Sequence, residues 1–121
     1  MPENRSQQHH RERLAEALRE EIETIIEGEL ADPRIGLVNV SEVQLAPDAK
    51  SAHILVVVQG DDNEADRTLD GLRAAVGFIR NELTERLQLR RAPELFFQVD
   101  RSQQYQARIT ELLSRTKKRQ R

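Results

Sequence analysis

The sequence predicts an α+β fold in one domain, with the element order α-β-β-α-β-α. Three observations predict it. Apolar residues recur at helical spacing over residues 10 to 30 and again from Leu69 to Leu87. Two apolar runs, residues 35–46 and 51–59, are separated by one short turn. A third run, residues 94–99, follows the long second helix, as a crossover connection requires. At 121 residues the chain suits a single domain, and it can bury roughly two-thirds of its unfolded surface.

The first helix carries Leu14, Leu18, Ile22, Ile25 and Ile26 on one face, with Glu16, Glu20, Glu23 and Glu27 opposite and Arg13 and Arg19 nearby. Asp32-Pro33 is expected to end it, because a residue before proline is pushed out of the α region. In IGLVNVSEVQLA, Val38 and Val40 share one phase, while Val43 and Leu45 fall on the other. That change of phase predicts a strand with a bulge near Ser41-Glu42. Pro47-Asp48 makes the turn, and SAHILVVVQ reads as a central strand in an antiparallel hairpin.

GDDNEAD then leads into a helix that Asp62 or Asn63 can cap, with Glu64 and Asp66 at the positive end of its dipole. Leu69, Leu72, Val76, Ile79, Leu83 and Leu87 form the buried stripe of the long helix. Gly77 sits near its middle, where glycine costs about 1 kcal/mol relative to alanine. Pro93 closes the segment. ELFFQV is the third strand, expected parallel to a hairpin strand, which makes the sheet mixed. Asp100 or Ser102 caps a final helix whose apolar side is Tyr105, Ile109, Leu112 and Leu113.

Composition excludes several function classes. There is no cysteine, so neither a disulfide framework nor a thiolate metal site is available. No apolar run approaches membrane-spanning length, and the polar N-terminus lacks a signal-peptide pattern, so a cytoplasmic protein without a membrane is expected. The carboxylates of GDDNEAD fit no EF-hand spacing and read as helix-capping groups. His9 and His10 lie in a polar N-terminal segment, and His53 lies in a strand. No glycine-rich phosphate loop, zinc-type ligand pair or nucleophile constellation is present. Neither a catalytic residue, a metal, a cofactor nor a small-molecule substrate is expected.

Charge is distributed unevenly. The net charge is −2, but Arg115, Lys117, Lys118, Arg119 and Arg121 crowd the last seven residues, leaving 14 basic against 21 acidic residues before them. A basic tail on an acidic body suits an arm that meets a polyanion. Arg73, Gly77, Arg80 and Thr84 form one ridge beside the apolar stripe. A bare backbone flanked by guanidinium groups suits phosphate, which arginine pairs with well. The alternative is that Arg73 and Arg80 flank the core and snorkel. Arg86, Arg90 and Arg91 form a second basic group at the helix end, where they also complement the dipole.

The segments DPRIGLVNVSEVQLAPD, AAVGFIRNEL and LRRAPELFFQVDRS, taken together and in this order, resemble the ribosome-binding factor A family, bacterial assembly factors of the small ribosomal subunit. The likeness runs from about Arg11 to Leu113. It implies a type II KH-like fold, with a helix pair on a three-stranded sheet. KH domains grip nucleotides with a GxxG loop. No such loop occurs here, and the resemblance puts an interhelical kink at Ala75-Val76-Gly77 in its place. The nearby positions Gln106-Ala107 stand where the family often has a glycine in its last helix.

The resemblance also implies binding to the 30S subunit, contact with 16S rRNA, help in its late maturation at the 5′ end, support of growth in the cold, and no enzymatic activity. The expected domain plan is a flexible N-terminal arm over 1–9, a KH-like rRNA-binding domain over 10–114, and a basic tail over 115–121, acting as a monomer. Arg34, Arg73, Arg80, Arg86, Arg90 and Arg91 are expected to meet phosphate, with Arg11 and Arg13 adding reach. Asp32 and Pro33 are expected to fix the exit of the first helix. The competing expectation is a small acidic protein-interaction module without direct RNA contact, which lends an edge strand to its partner.

Overall fold

The computed structural model describes residues 4–119. Met1 to Glu3 of the expected arm and Gln120 and Arg121 of the expected tail lie outside the described residues, as do the side chains of residues 117–119. The elements are α1 (Arg5–Glu29), β1 (Val38–Leu45), β2 (Ser51–Val58), α2 (Asp62–Ala74), α3 (Val76–Leu87), β3 (Glu94–Val99) and α4 (Ser102–Arg119). The predicted order therefore stands, with the long helix divided in two.

The first helix starts five residues earlier than its apolar spacing indicates. A capping box explains this. Asn4 Oδ1 accepts the Gln7 backbone N–H at 2.8 Å, and Gln7 Oε1 accepts the Asn4 N–H at 3.2 Å. Residues 5–9, expected as flexible arm, are helical. The helix ends at Glu29, before Asp32-Pro33, with Leu30 already extended. Asp61, rather than Asp62 or Asn63, caps α2, its carboxylate accepting the Glu64 N–H at 2.9 Å.

The sheet order is β1-β2-β3, with β1 antiparallel and β3 parallel to the central β2. The register slips between Val40 and Glu42, which places the bulge at Ser41. Beyond the slip, Val43 and Leu45 return to the same face as Val38 and Val40, and all four are buried. The bulged Ser41 donates its hydroxyl to Asp100 at 2.7 Å. That carboxylate also accepts the Ser102 N–H at the start of α4.

One face of the sheet is covered. Leu18, Ile22, Ile25 and Ile26 of α1 pack with Leu69 and Leu72 of α2, Ile79 and Leu83 of α3, and Ile54, Val56, Leu95 and Phe97 of the strands. Thr68, 1% exposed, accepts the Gly36 N–H at 3.2 Å and so ties the loop after α1 to α2. Gly71 allows that loop to approach. A Cβ at this position would lie 2.6 Å from Ile35 Cγ1.

The final helix departs from expectation. Most of its apolar side is exposed, Tyr105 by 69% and Leu113 by 61%, Ile109 is half-buried, and among the described residues none of α4 joins the core. Helices α1 to α3 already fill the covered face. The opposite face of the sheet carries Gln44, His53, Phe96 and Gln98, all exposed, and half-buried Leu55 and Val57.

Candidate nucleic-acid interface

The helix breaks at the expected motif, and the structure identifies which residue carries the break. Ala75 has φ −93° and ψ 2°. Its N–H is shared between the carbonyls of Gly71 (3.2 Å) and Leu72 (3.1 Å), and the helical pattern resumes with the Ile79 N–H on Ala75 O at 2.9 Å. Val76 is half-buried and opens α3. Gly77 lies within α3 and has no positive φ, and a Cβ built on it would meet nothing within 4 Å. Neither packing nor backbone geometry requires glycine there. Its effect is to leave the surface beside the kink bare.

The ridge of Arg73 and Arg80 runs along the free edge of β3, and both guanidinium groups face protein carbonyls. Arg80 donates from Nε to Pro93 O at 3.0 Å and from Nη2 to Ala92 O at 2.9 Å. Arg73 donates to Phe97 O at 3.3 Å. An edge strand presents unpaired backbone groups; Arg73 covers one of them, at Phe97, and Arg80 closes the two carbonyls just before the strand begins.

Arg86 is held by three carboxylates. Its Nη1 lies 3.4 Å from Glu21, its Nε 3.3 Å from Glu82, and Nη2 pairs with Glu29. Glu21 and Glu29 belong to α1, so this side chain fastens α3 to α1. Arg34 pairs with Asp32 at 2.6 Å, and Asp32 also accepts the Arg34 backbone N–H at 2.9 Å. The Arg34 hydrogen bonds pull the Asp32 carboxyl down to about 2. Asp32 and Pro33 thus shape the turn after α1, with Ile35 N–H on Asp32 O at 3.1 Å, and the helix itself stops at Glu29, just before them. The Asp100 carboxyl is lowered too, by the hydrogen bonds from Ser102 and Ser41.

Arg90 and Arg91 differ from these. Both are exposed, and among the described residues no ion pair or hydrogen bond holds either side chain. Arg91 borders a recess with Ala49, Lys50, Ser51 and Glu94. Ala49 also borders a neighbouring groove that contains His10, Arg11 and Leu14 of α1. One end of the sheet therefore gathers Arg11, Lys50 and Arg91, drawn from α1, the hairpin turn and the link before β3, and Arg90 precedes Arg91 in that link. Arg13 is exposed on the same helix as Arg11. Lys50 is the member that sequence reading passed over. Its position beside the turn gave no sign, because only the parallel pairing of β2 with β3 brings it next to Arg91. Arg34 lies elsewhere, on a recess with Arg67, Gly36 and Leu37. The predicted arginines thus fall into an engaged set (Arg34, Arg73, Arg80 and Arg86), Arg11 and Arg91 at the sheet end, and the exposed Arg13 and Arg90 close to those two in the chain.

Among the described residues no group of three or more acidic or histidine side chains could hold a metal ion, and no helix is long and apolar enough to cross a membrane.

A family model described as ribosome-binding factor A matches residues 10–113. Ribosome-binding factor A of Koribacter versatilis is 58% identical over 117 residues, which covers 97% of this chain and 95% of the relative. That of Desulfitobacterium hafniense is 46% identical over 105 residues, covering 87% and 84%. Among solved structures, the crystal structure of ribosome-binding factor A from Thermus thermophilus matches with TM-score 0.69 and 26% identity, over 76% of this chain and 97% of that one. A model of the Thermus thermophilus factor fitted into a cryo-electron-microscopy map of its complex with the 30S subunit matches with TM-score 0.60 and 28% identity, over 72% and 91%.

Proposed function

The chain belongs to the ribosome-binding factor A family, and from that premise we propose that it binds the 30S ribosomal subunit, contacts 16S rRNA and assists its late maturation, including processing at the 5′ end. It acts as a binding factor and not as an enzyme, on RNA conformation, as a cytoplasmic monomer without cofactor, and it supports growth in the cold. A relative fitted into a map of a 30S complex supports the reading. Within this chain, one observation carries it. Lys50 and Arg91 gather with Arg11 at one end of the sheet of an acidic protein, with Arg90 next to Arg91 in the chain, and among the described residues no ion pair holds Lys50, Arg90 or Arg91.

Residues 10–114 form the rRNA-binding body in this reading, and the basic residues from Arg115 add electrostatic reach. Arg90 and Arg91 are the primary phosphate contacts, with Arg11 and Arg13 beside them. Arg34, Arg73, Arg80 and Arg86 reach phosphate only by exchanging an intramolecular partner. The test is co-sedimentation of the full-length protein with 30S subunits over a salt series. Binding should weaken with salt, by a log–log slope of about 0.7–0.9 per phosphate neutralised. Joint reversal of Arg90 and Arg91 to glutamate should weaken binding and flatten that slope. A slope near zero, or full affinity in the double variant, would sink the proposal.

The exposed apolar side of α4 favours a second reading, in which a protein docks there. A low-salt pull-down discriminates, since that reading predicts recovery of a protein and no 16S rRNA. Lending the β3 edge to such a partner is disfavoured, because Arg73 occupies the Phe97 carbonyl and Arg80 the two carbonyls just before the strand.

A further inference from the structure

The uncovered face of the sheet holds an arrangement that the charge pattern does not touch. Cross-strand pairing sets Gln44 opposite His53, and His53 opposite Phe96, so these three side chains form one row across all three strands. The His53 and Phe96 rings stack, with centroids 5.5 Å apart and planes inclined by 29°. Phe96 remains 48% exposed. The next row is Glu42, Leu55 and Gln98, and Asn39 with Val57 follows. An exposed ring pair on adjacent strands, bordered by amides, is thus built on rigid backbone.

Lys50 and Arg91 stand at the end of the same strands. Lys50 precedes His53 by three residues, roughly 10 Å along an extended chain. Carboxylates border the rings as well, Glu94 on the side of Arg91 and Glu42 on the far side. A dry protein contact would bury those charges. A nucleobase suits the mixture better. Its π face stacks on an aromatic ring, its edges exchange hydrogen bonds with amides, and its phosphate stays at the rim.

The geometry points to a base-stacking site: Phe96 and His53 on the open face receive one unpaired base of an RNA strand whose phosphates lie toward Lys50 and Arg91. This rests on the RNA-binding reading and adds a second surface to it. Arg90 and Arg91 supply charge, and Phe96 supplies a contact that is insensitive to salt.

The test uses the full-length protein and a fluorescently labelled single-stranded RNA of mixed sequence, titrated at several salt concentrations. Phe96→Ala should lose roughly ten-fold in affinity with an unchanged salt slope, because a lost stack releases no counterion. Phe96→Trp should restore affinity. It also serves as the informative variant where the alanine protein melts below the wild type. In NMR spectra, the ring signals of His53 and Phe96 should shift on addition of RNA. Wild-type affinity in Phe96→Ala, or a salt slope that falls with its affinity, overturns the site. Nuclear Overhauser contacts from Phe96 to Leu112 or Leu113 also overturn it, since α4 would then cover the rings. Failure of the underlying reading looks different: the wild type itself would bind this RNA without salt dependence.

Discussion

Replacing Arg80 by alanine removes the group that closes two carbonyls at the entrance to β3. Ala92 and Pro93 are both buried, and the guanidinium donates to one carbonyl from Nε and to the other from Nη2. A hydrogen bond to a charged donor contributes about 1.5–3 kcal/mol, and a buried acceptor left without a partner costs a similar amount. Arg80 is half-exposed, so water replaces part of the loss, and about 2 kcal/mol is expected for Arg80→Ala. For a domain of this size that lowers the melting temperature by roughly 10 °C. Arg80→Lys should recover little, because an ammonium cannot reproduce the two-pronged fork. Urea unfolding followed by circular dichroism measures both, with an unchanged m-value confirming a common unfolded state. If Arg80→Ala leaves the midpoint in place yet abolishes 30S binding, the side chain acts on a ligand and its place on the strand edge is incidental.

Three further perturbations separate structure from function. Gly77→Ala should raise stability by about 0.5–1 kcal/mol, since the position is helical and a Cβ meets open space. The same change should weaken 30S binding if a backbone approaches there, and a loss of stability would instead mean that the kink needs glycine. Arg86→Ala leaves Glu21, Glu29 and Glu82 without their shared cation. About 1 kcal/mol should be lost in low-salt urea melts and less at high salt, whereas a deficit that ignores salt would refute an electrostatic link. For Asp32, the folded value of about 2 lies below the ordinary value near 3.9. Its contribution to stability is therefore present above about pH 4 and lost as pH falls toward about 2. The Asp32 carboxyl carbon should titrate near the lower value by NMR, and Arg34→Ala should raise that midpoint; an unmoved midpoint would remove the pair as the cause.

Local chemistry was legible in the sequence wherever one residue type decides the outcome. The phase change between Val40 and Val43 located the bulge, and the glycine near the middle of the long helix drew attention to the kink. The start of α1 was hidden because its first turns carry no apolar stripe and rest on the Asn4–Gln7 capping box. The apolar spacing of α4 predicted a helix correctly and still could not show that Tyr105, Leu112 and Leu113 remain in solvent, because spacing does not count how many faces the sheet has left to cover. Charge was legible only in sum. Arg86 and Arg90 look alike four residues apart, yet the first meets Glu82 on its own helix and Glu21 and Glu29 across the α1 contact, and the second meets none. The His53–Phe96 pair needs the register between β2 and β3, which no local pattern contains.

That register has a consequence in time. The central strand obtains its partner β1 from the residues just before it, but its other edge waits for β3. Thirty-five residues separate Val58 from Glu94. At bacterial elongation rates of about 5–20 residues per second, the chain passes about 2–7 s with that edge unpaired. The waiting segment is SAHILVVV, apolar, rich in β-branched residues and free of charge. An unpaired edge of this kind is a template for another chain. Until α2 and α3 have carried β3 into place, α1 and β1 are the only elements already made that can cover that strand.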